Sequence, residues 1–374
     1  MTIYLDTNAS ALLEPGVLMC LHSLFIGEGG FGNPSSVHSF GKKTKKLVKE
    51  TSTLIEKALG FSHCRVIYTS GATESLNLAI QNIPTGSHVI TSSMEHPAVI
   101  EPLKQAKLSV TYLDPIPGEC VVSLEQIKEA VQSDTSAIVL GWVNSEVGVR
   151  IDLEAIAEFA KERQLLLIVD ATAIVGKEVI HIPEGVSMVA FSGHKFHALS
   201  GIGVLLTSPK IKISPIISGG GQQGGIRSGT EHIHGIASLR YIFSKLLVEQ
   251  PAIAQTMRSY RDLFESRIQE AFPECIVHCQ DKPRVSNLSA IVFPGLEGEV
   301  MQIALDLEGV ACGYGSACSS GATTVFKSLT VMKVPQDLAV ATLRFSFSYL
   351  LSEEEILTAA QRVIRVVKHL QQYA

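Results

Sequence analysis

Leu165-Leu166-Leu167-Ile168-Val169-Asp170 sets five apolar residues in succession and closes them with a carboxylate. A strand with one wet face alternates apolar and polar residues. An unbroken apolar run reads instead as a strand buried on both sides, as in a parallel sheet between helical layers. Outward from it, residues 66–69, 87–91, 137–143, 188–191 and Gly203–Thr207 also read as strands. Helical patterns lie between several of them, including 75–81 and 153–163. The alternation predicts an α/β protein with a mainly parallel sheet covered on both faces. The close spacing of 188–191 and Gly203–Thr207 leaves room for an antiparallel member.

In such a sheet, ligands bind outside the carboxyl ends of the strands. Five of these strands are followed by polar residues: Ser70-Gly71-Ala72-Thr73-Glu74-Ser75, Glu95-His96, Asn144-Ser145-Glu146, Asp170, and Ser192-Gly193-His194-Lys195. One such group is an ordinary turn; five together point to a single site. The 70–75 turn opens a helix, where free N–H groups and the helix dipole suit a phosphate, although a plain N-cap explains it too. Asp170 needs a cationic partner after so apolar a strand. A protonated pyridine nitrogen answers that need, and so does a helix cap or salt bridge. His96, fixed by Pro97, could stack on a ring and relay protons, or be structural. Lys195 is suited to react with an aldehyde if burial and nearby cations favour its neutral amine.

The chain has 374 residues, 46% hydrophobic and 18% charged, with a net charge of -5. That is the composition of a folded protein large enough for a large and a smaller domain. Without a basic block, nucleic acid is not an expected partner. The five lysines of 42–49 read as a solvated helix face. No apolar run reaches membrane-spanning length, and the opening Met1-Thr2-Ile3-Tyr4-Leu5-Asp6 lacks a signal-peptide pattern, so neither a membrane nor secretion is expected. The seven cysteines form no disulfide scaffold pattern, which predicts a reducing, cytoplasmic setting. The Cys275/Cys279 and Cys312/Cys318 spacings do not suggest zinc.

From about Pro251 the pattern becomes helix-rich and leads to a second α/β region. Ser352 and Glu355 make a capping-box start, and Ile356, Ala360, Val363, Ile364, Val367 and Leu370 form an apolar stripe that reads as core packing. We expect a large domain over 14–255 and a smaller one over 1–13 and 256–374. The glycine-dense 219–230 segment suits close approach to a ligand or another subunit, or is simply a flexible loop. Gly315-Ser316-Ala317-Cys318-Ser319-Ser320-Gly321 sets a cysteine among small residues, as for a mobile, reactive thiol. Arg344, between apolar neighbours, fits a substrate carboxylate or a structural ion pair.

Taken together, Tyr4-Leu5-Asp6-Thr7-Asn8-Ala9-Ser10, Asn33-Pro34-Ser35-Ser36-Val37-His38, the 69–77 segment, Glu95-His96-Pro97-Ala98-Val99, Ser192–Lys195, 219–230 and 315–321 resemble the cysteine desulfurases of the NifS/IscS type, among the aminotransferase class V enzymes that use pyridoxal 5′-phosphate (PLP). The resemblance runs along essentially the whole chain, in order. It implies a fold-type I PLP enzyme with a mainly parallel seven-stranded sheet, working as a homodimer. Lys195 would carry PLP as a Schiff base. Ala72, Thr73, Ser192 and His194 would hold its phosphate, and Thr230 would reach the other subunit's site. Asp170 would pair with the pyridine nitrogen, His96 would stack on the ring, and Arg344 would grip the substrate carboxylate. Cys318 would take the sulfur of L-cysteine as a persulfide, release alanine, and pass the sulfur to an acceptor or scaffold protein for iron–sulfur or thio-cofactor assembly.

Two positions depart from the family pattern. Ser145 stands where an asparagine is usual and Ala173 where a glutamine is, both donors to the cofactor's ring oxygen. Ser145 can still donate and Ala173 cannot, which predicts weaker PLP retention or slower turnover. The competing readings are a related lyase acting on selenocysteine or cysteine sulfinate, and a divergent paralogue acting as a binding scaffold.

Overall fold

The computed structural model describes residues 2–27, 30–315 and 325–372. Its main sheet has seven strands: β1 (Arg65–Thr69), β2 (His88–Ser92), β3 (Ser109–Leu113), β4 (Thr135–Gly141), β5 (Leu166–Asp170), β6 (Met188–Ser192) and β7 (Gly203–Thr207), in the order β1-β7-β6-β5-β4-β2-β3. The pairs among β3, β2, β4, β5 and β6 are parallel. β7 runs antiparallel between β6 and β1 and is the expected antiparallel member.

β5 shows why the opening run is apolar throughout. Leu167 and Val169 enter one apolar cluster and Ile168 enters another, so helices cover the sheet on both sides. The described helices include α1 (Pro15–Ile26), α2 (Ser39–Leu59), α3 (Ala72–Ile80), α4 (Pro97–Gln105), α5 (Leu153–Glu162), α6 (Ile233–Ala271) and α7 (Glu353–Leu370). α3 begins three residues before the expected 75–81 helix. The five lysines of 42–49 lie on α2 and are exposed.

A second sheet joins Leu288–Val292 to Thr342–Ser346 and Ile276–Val277, all antiparallel. Ile3–Tyr4 pairs with Val310–Ala311 in parallel. Ile3 and Leu5 share an apolar cluster with Phe264, Phe345, Phe347 and Ile356, so the chain's first residues pack with its last third. α7 opens with the predicted box: Ser352 Oγ accepts from Glu355 N at 3.2 Å and Glu355 Oε2 from Ser352 N at 2.8 Å. Ile356, Ala360, Val363 and Val367 of its stripe are buried, while Ile364 and Leu370 are partly so. The 39-residue α6 carries Met257 in the large cluster and Phe264 in the second, so the expected boundary at 255/256 falls inside one continuous helix.

The cysteine reading needs correction. Cys120 and Cys279, 159 residues apart, form a disulfide with a Cα–Cα distance of 6.3 Å. Spacing could not reveal it, because the bond joins the segment before Ser123 to the turn after Ile276–Val277. The glycine-dense segment is also held rather than loose. Gln223 Oε1 accepts from Tyr68 N at 2.7 Å and Gln223 Nε2 donates to Tyr68 O at 2.8 Å, closing the open edge of β1. Arg227 pairs with Glu74 on α3 at 2.8 Å.

Candidate active site

The carboxyl ends of the strands deliver their polar residues to one cavity of about 310 Å³. Ala72, Thr73, His96, Ser145, Asp170, Ser192, His194 and Lys195 all line it. Thr230 is exposed and outside it. Arg344 is outside it too, but its Nη1 reaches the carbonyl of Ser145 at 3.3 Å. Cys318 lies outside the described residues.

At the start of α3 the chain turns tightly. Ser192 Oγ accepts from Ala72 N at 2.7 Å, holding the end of β6 against the first turn of the helix. The approach is possible because residue 203 on β7 is glycine: a Cβ there would meet the Gly71 backbone at 2.4 Å. His194 joins this end, its Nδ1 at 3.2 Å from Ser10 Oγ. Burial, then the cations Lys195 and Lys177, pull His194 down to about 4, so it is neutral at pH 7. A helix N-terminus with hydroxyls and a neutral imidazole fits a phosphate.

Lys195 sits in the short turn after β6 and is partly buried. Its Nζ donates to Asn8 O and Ala9 O, each at 2.8 Å. Asp170 ends β5, and its Oδ1 accepts from Thr172 N at 2.9 Å. His96 caps α4, with Nδ1 accepting from Ala98 N at 3.1 Å, so a neutral ring carries its proton on Nε2. Although His96 is exposed at the cavity, surrounding protein desolvates the ring and holds it below the usual histidine range; Lys195 acts the same way and Asp170 opposes it.

Arg344 makes the ion pair that is one of its two sequence alternatives. Its Nη2 pairs with Asp6 at 2.7 Å, while its buried Nε has no hydrogen-bond partner among the described residues. Asn144 Nδ2 donates to Ser328 Oγ at 2.7 Å, and Glu146 Oε2 accepts from Ser328 N at 2.7 Å. The 144–146 segment therefore ties down the chain ten residues beyond Cys318.

Sequence reasoning gave no role of their own to three lining residues. Asn8 supports Lys195 through its carbonyl. Glu95 accepts from Gly141 N at 2.8 Å, and burial, with Asp170 next, pushes its carboxyl up to about 8. Thr172 has a buried Oγ1 with no hydrogen-bond partner among the described residues. No residue pattern marks Thr172, but its place two residues after Asp170 was a usable signal. Ala173 beside it is buried and bears no donor. An amine, a carboxylate, a phosphate-type helix end and a donor without a partner fit a flat, phosphorylated heteroaromatic aldehyde.

A family model described as aminotransferase class-V matches residues 3–358, and the chain belongs to that family. Its relatives there narrow the class. Cysteine desulfurase IscS of Dictyoglomus turgidum is 32% identical over 99% of this chain and 96% of its own length. Putative cysteine desulfurase IscS 1 of Bacillus subtilis is 33% identical over 98% of this chain and 99% of its own. Among solved structures, a NifS-like protein matches with a TM-score of 0.90 at 26% identity, covering 99% of this chain and 100% of that one. SspA in complex with cysteine matches with a TM-score of 0.81 at 27% identity, over 93% and 99% of the two chains.

Proposed function

We propose that this protein is a PLP-dependent cysteine desulfurase, which takes sulfur from L-cysteine, releases L-alanine and holds the sulfur on Cys318 for an acceptor protein. The observation that carries the reading is the convergence of Lys195, Asp170, His96 and the Ser192–Ala72 contact on one cavity. Bound there, PLP would act as an electron sink for the substrate's Cα.

Their places support the following tasks for the residues. Ala72, Thr73, Ser192 and His194 would hold the phosphate, and Asp170 would pair with the ring nitrogen. His96 would stack on the ring, with Nε2 its proton-bearing atom. Ser145 and Thr172 are the hydroxyls available to the ring oxygen, in place of the donor that Ala173 lacks. The Lys195 amine, steadied by two carbonyls, moves a proton at the substrate's Cα. Arg344, whose Nη1 reaches the carbonyl of cavity-lining Ser145, binds the substrate carboxylate. The Cys318 thiolate attacks the substrate sulfur; an S–S bond forms, the C–S bond breaks, and the electron pair and a proton complete alanine.

We further propose a homodimer. Leu18, Met19, Phe25 and Ile26 on α1 and Phe31 beyond it are exposed apolar residues. Phe25 stacks on His234 at 4.2 Å, four residues from Thr230, so a second copy covering this face would meet the segment expected to reach across. The large and small domains are proposed over 14–255, and over 1–13 with 256–374. A cytoplasmic location suits the free thiols of Cys20, Cys64, Cys275 and Cys312, with Cys120–Cys279 the exception. No described helix is long and apolar enough to cross a membrane.

The test is the absorbance of the purified protein with and without cysteine, alongside alanine release. A yellow protein whose spectrum shifts with cysteine and which releases alanine is expected, and Cys318→Ala should stop sulfur release while keeping the shift. A colourless protein that cannot be reconstituted with PLP overturns the reading.

A further inference from the structure

The chain on either side of Cys318 is fastened to residues around the cavity. On one side Gly313 and Arg344 exchange backbone hydrogen bonds, Gly313 N to Arg344 O and Arg344 N to Gly313 O, each at 2.8 Å. The approach is so close that a Cβ on residue 313 would meet Arg344 Nη2 at 2.9 Å. On the other side lies a short helix, Lys327–Val331. Phe326 before it is buried with Val147 and Val149, and the Arg344 guanidinium lies over its ring at 5.7 Å.

A helix start leaves backbone N–H groups without partners, and an N-cap side chain commonly takes one of them. Phe326 stands at the N-cap and has no oxygen to offer. The acceptor comes instead from 182 residues away: Glu146 Oε2 accepts from Ser328 N at 2.7 Å. Asn144 Nδ2 donates to Ser328 Oγ at 2.7 Å. Asn144 Oδ1 accepts from Glu146 N and Val147 N, each at 3.0 Å, so one turn sets both clamping side chains. Ser145 lies between them and lines the cavity, and its carbonyl accepts from Asn8 Nδ2 at 2.6 Å. Ser328 is 1% exposed and is not part of the cavity wall. A serine or aspartate at 326 would cap the helix locally with no tie to the cavity. Helix capping alone therefore does not account for a clamp drawn from the cavity's own edge.

We propose that Ser328 is a positioning residue for Cys318: clamped by Asn144 and Glu146, it registers the thiol-bearing segment against the cavity, so that the thiol and Lys195 work on one substrate. This rests on the reading of Cys318 as the sulfur-accepting thiol. Cys318 is five residues from Gly313 and eight from Phe326, so it belongs to a short span fastened at both ends. Fixing both ends of a short span raises the effective concentration of a group it carries at a nearby site. Loosening one end lengthens the tether and lowers that concentration.

The test separates the thiol's place from its chemistry. The full chain freed of cofactor is treated with succinimidyl iodoacetate, a short reagent that joins an amine to a thiol. The Lys195–Cys318 product is quantified by mass spectrometry, and alkylation of Cys318 by iodoacetamide is followed in parallel. Ser328→Ala should lower the crosslink about threefold, the weight of one hydrogen bond, and adding Glu146→Ala should lower it about tenfold, with alkylation unchanged. In the PLP-loaded protein mixed with L-cysteine, Ser328→Ala should slow persulfide formation on Cys318 about threefold while the spectral shift keeps its wild-type rate. A role confined to holding the fold would slow both. No crosslink in the wild-type chain, equal yields in all three chains, or a spectral shift slowed as much as persulfide formation overturns the proposal. If the crosslink falls as expected but the wild-type chain releases no alanine from cysteine, the clamp stands and the desulfurase reading falls.

Discussion

The residues lining the cavity fall into two sets. The ends of sheet strands and the turns directly after them supply Asp170, Ser192, Lys195 and the start of α3. Longer segments outside the sheet supply Val121, Val122, Val143, Val149 and Ile151. The first set is charged or hydrogen-bonding and is held by parallel pairing on rigid strands. The second is hydrocarbon, which excludes water and strengthens every charge interaction inside. Much of the chemistry sits at the strand ends, and most of the hydrocarbon on the longer segments. The weak join lies between them, where Ala173 offers no donor and Thr172 offers one without a partner.

The sharpest way to break this contrast is to remove the sheet-borne amine. Lys195→Ala should lower alanine release by at least about 10³-fold and abolish covalent PLP retention, while a loop change such as Val121→Ala should cost far less, both read by steady-state rates. The next effect concerns how the loops are held. Cys120 adjoins Val121 and Val122, and its bond to Cys279 closes a 159-residue separation. Reduction, or Cys120→Ser, should remove about 2–4 kcal/mol from the oxidised protein and lower the thermal midpoint by several degrees. Equal midpoints with and without reductant would mean that this wall stands without the bond.

The join itself can be probed with smaller changes. Ala173→Gln should slow PLP loss about fivefold, the effect of one added hydrogen bond of about 1 kcal/mol, and Thr172→Val should speed it similarly. If dialysis half-times are unchanged in both, the ring oxygen finds its donors elsewhere. A last test reads a slope. Glu95 holds its proton up to about pH 8 in the folded chain, whereas an unfolded carboxyl releases it near its ordinary value. Between these values the folded state binds the extra proton, so stability from this group falls as pH rises from about 5 to 8. Glu95→Gln should flatten that decline in denaturant midpoints.

The sheet-borne set was legible in the sequence for a physical reason. A strand buried on both faces leaves an unbroken apolar run, and the first polar residue after it must lie at the sheet's edge. Asp170 and Ser192 are found this way, and Lys195 follows Ser192 in the same turn. Ser109–Leu113 escaped because it is an edge strand with exposed and half-buried residues, so its pattern is mixed. Cys120–Cys279 and Asn144–Ser328 escaped because tertiary folding alone brings such distant residues together. Thr172 is an ordinary threonine until its hydroxyl is found buried and unpaired.

The long helix α6 has a mechanical side. At 1.5 Å per residue, the 14 steps from Met257 to Ala271 extend about 21 Å beyond the last side chain that this helix places in the large core. Such an arm bends only by breaking its own hydrogen bonds, so it transmits a tilt instead of absorbing it. A tilt of about 5° at its base would carry its tip about 2 Å. Phe264 and Ile268 ride on that arm within the same core as Phe345 and Phe347, which flank the Arg344 strand. Slight rocking at one end of a single rod can therefore adjust the distance between the guanidinium and the cavity.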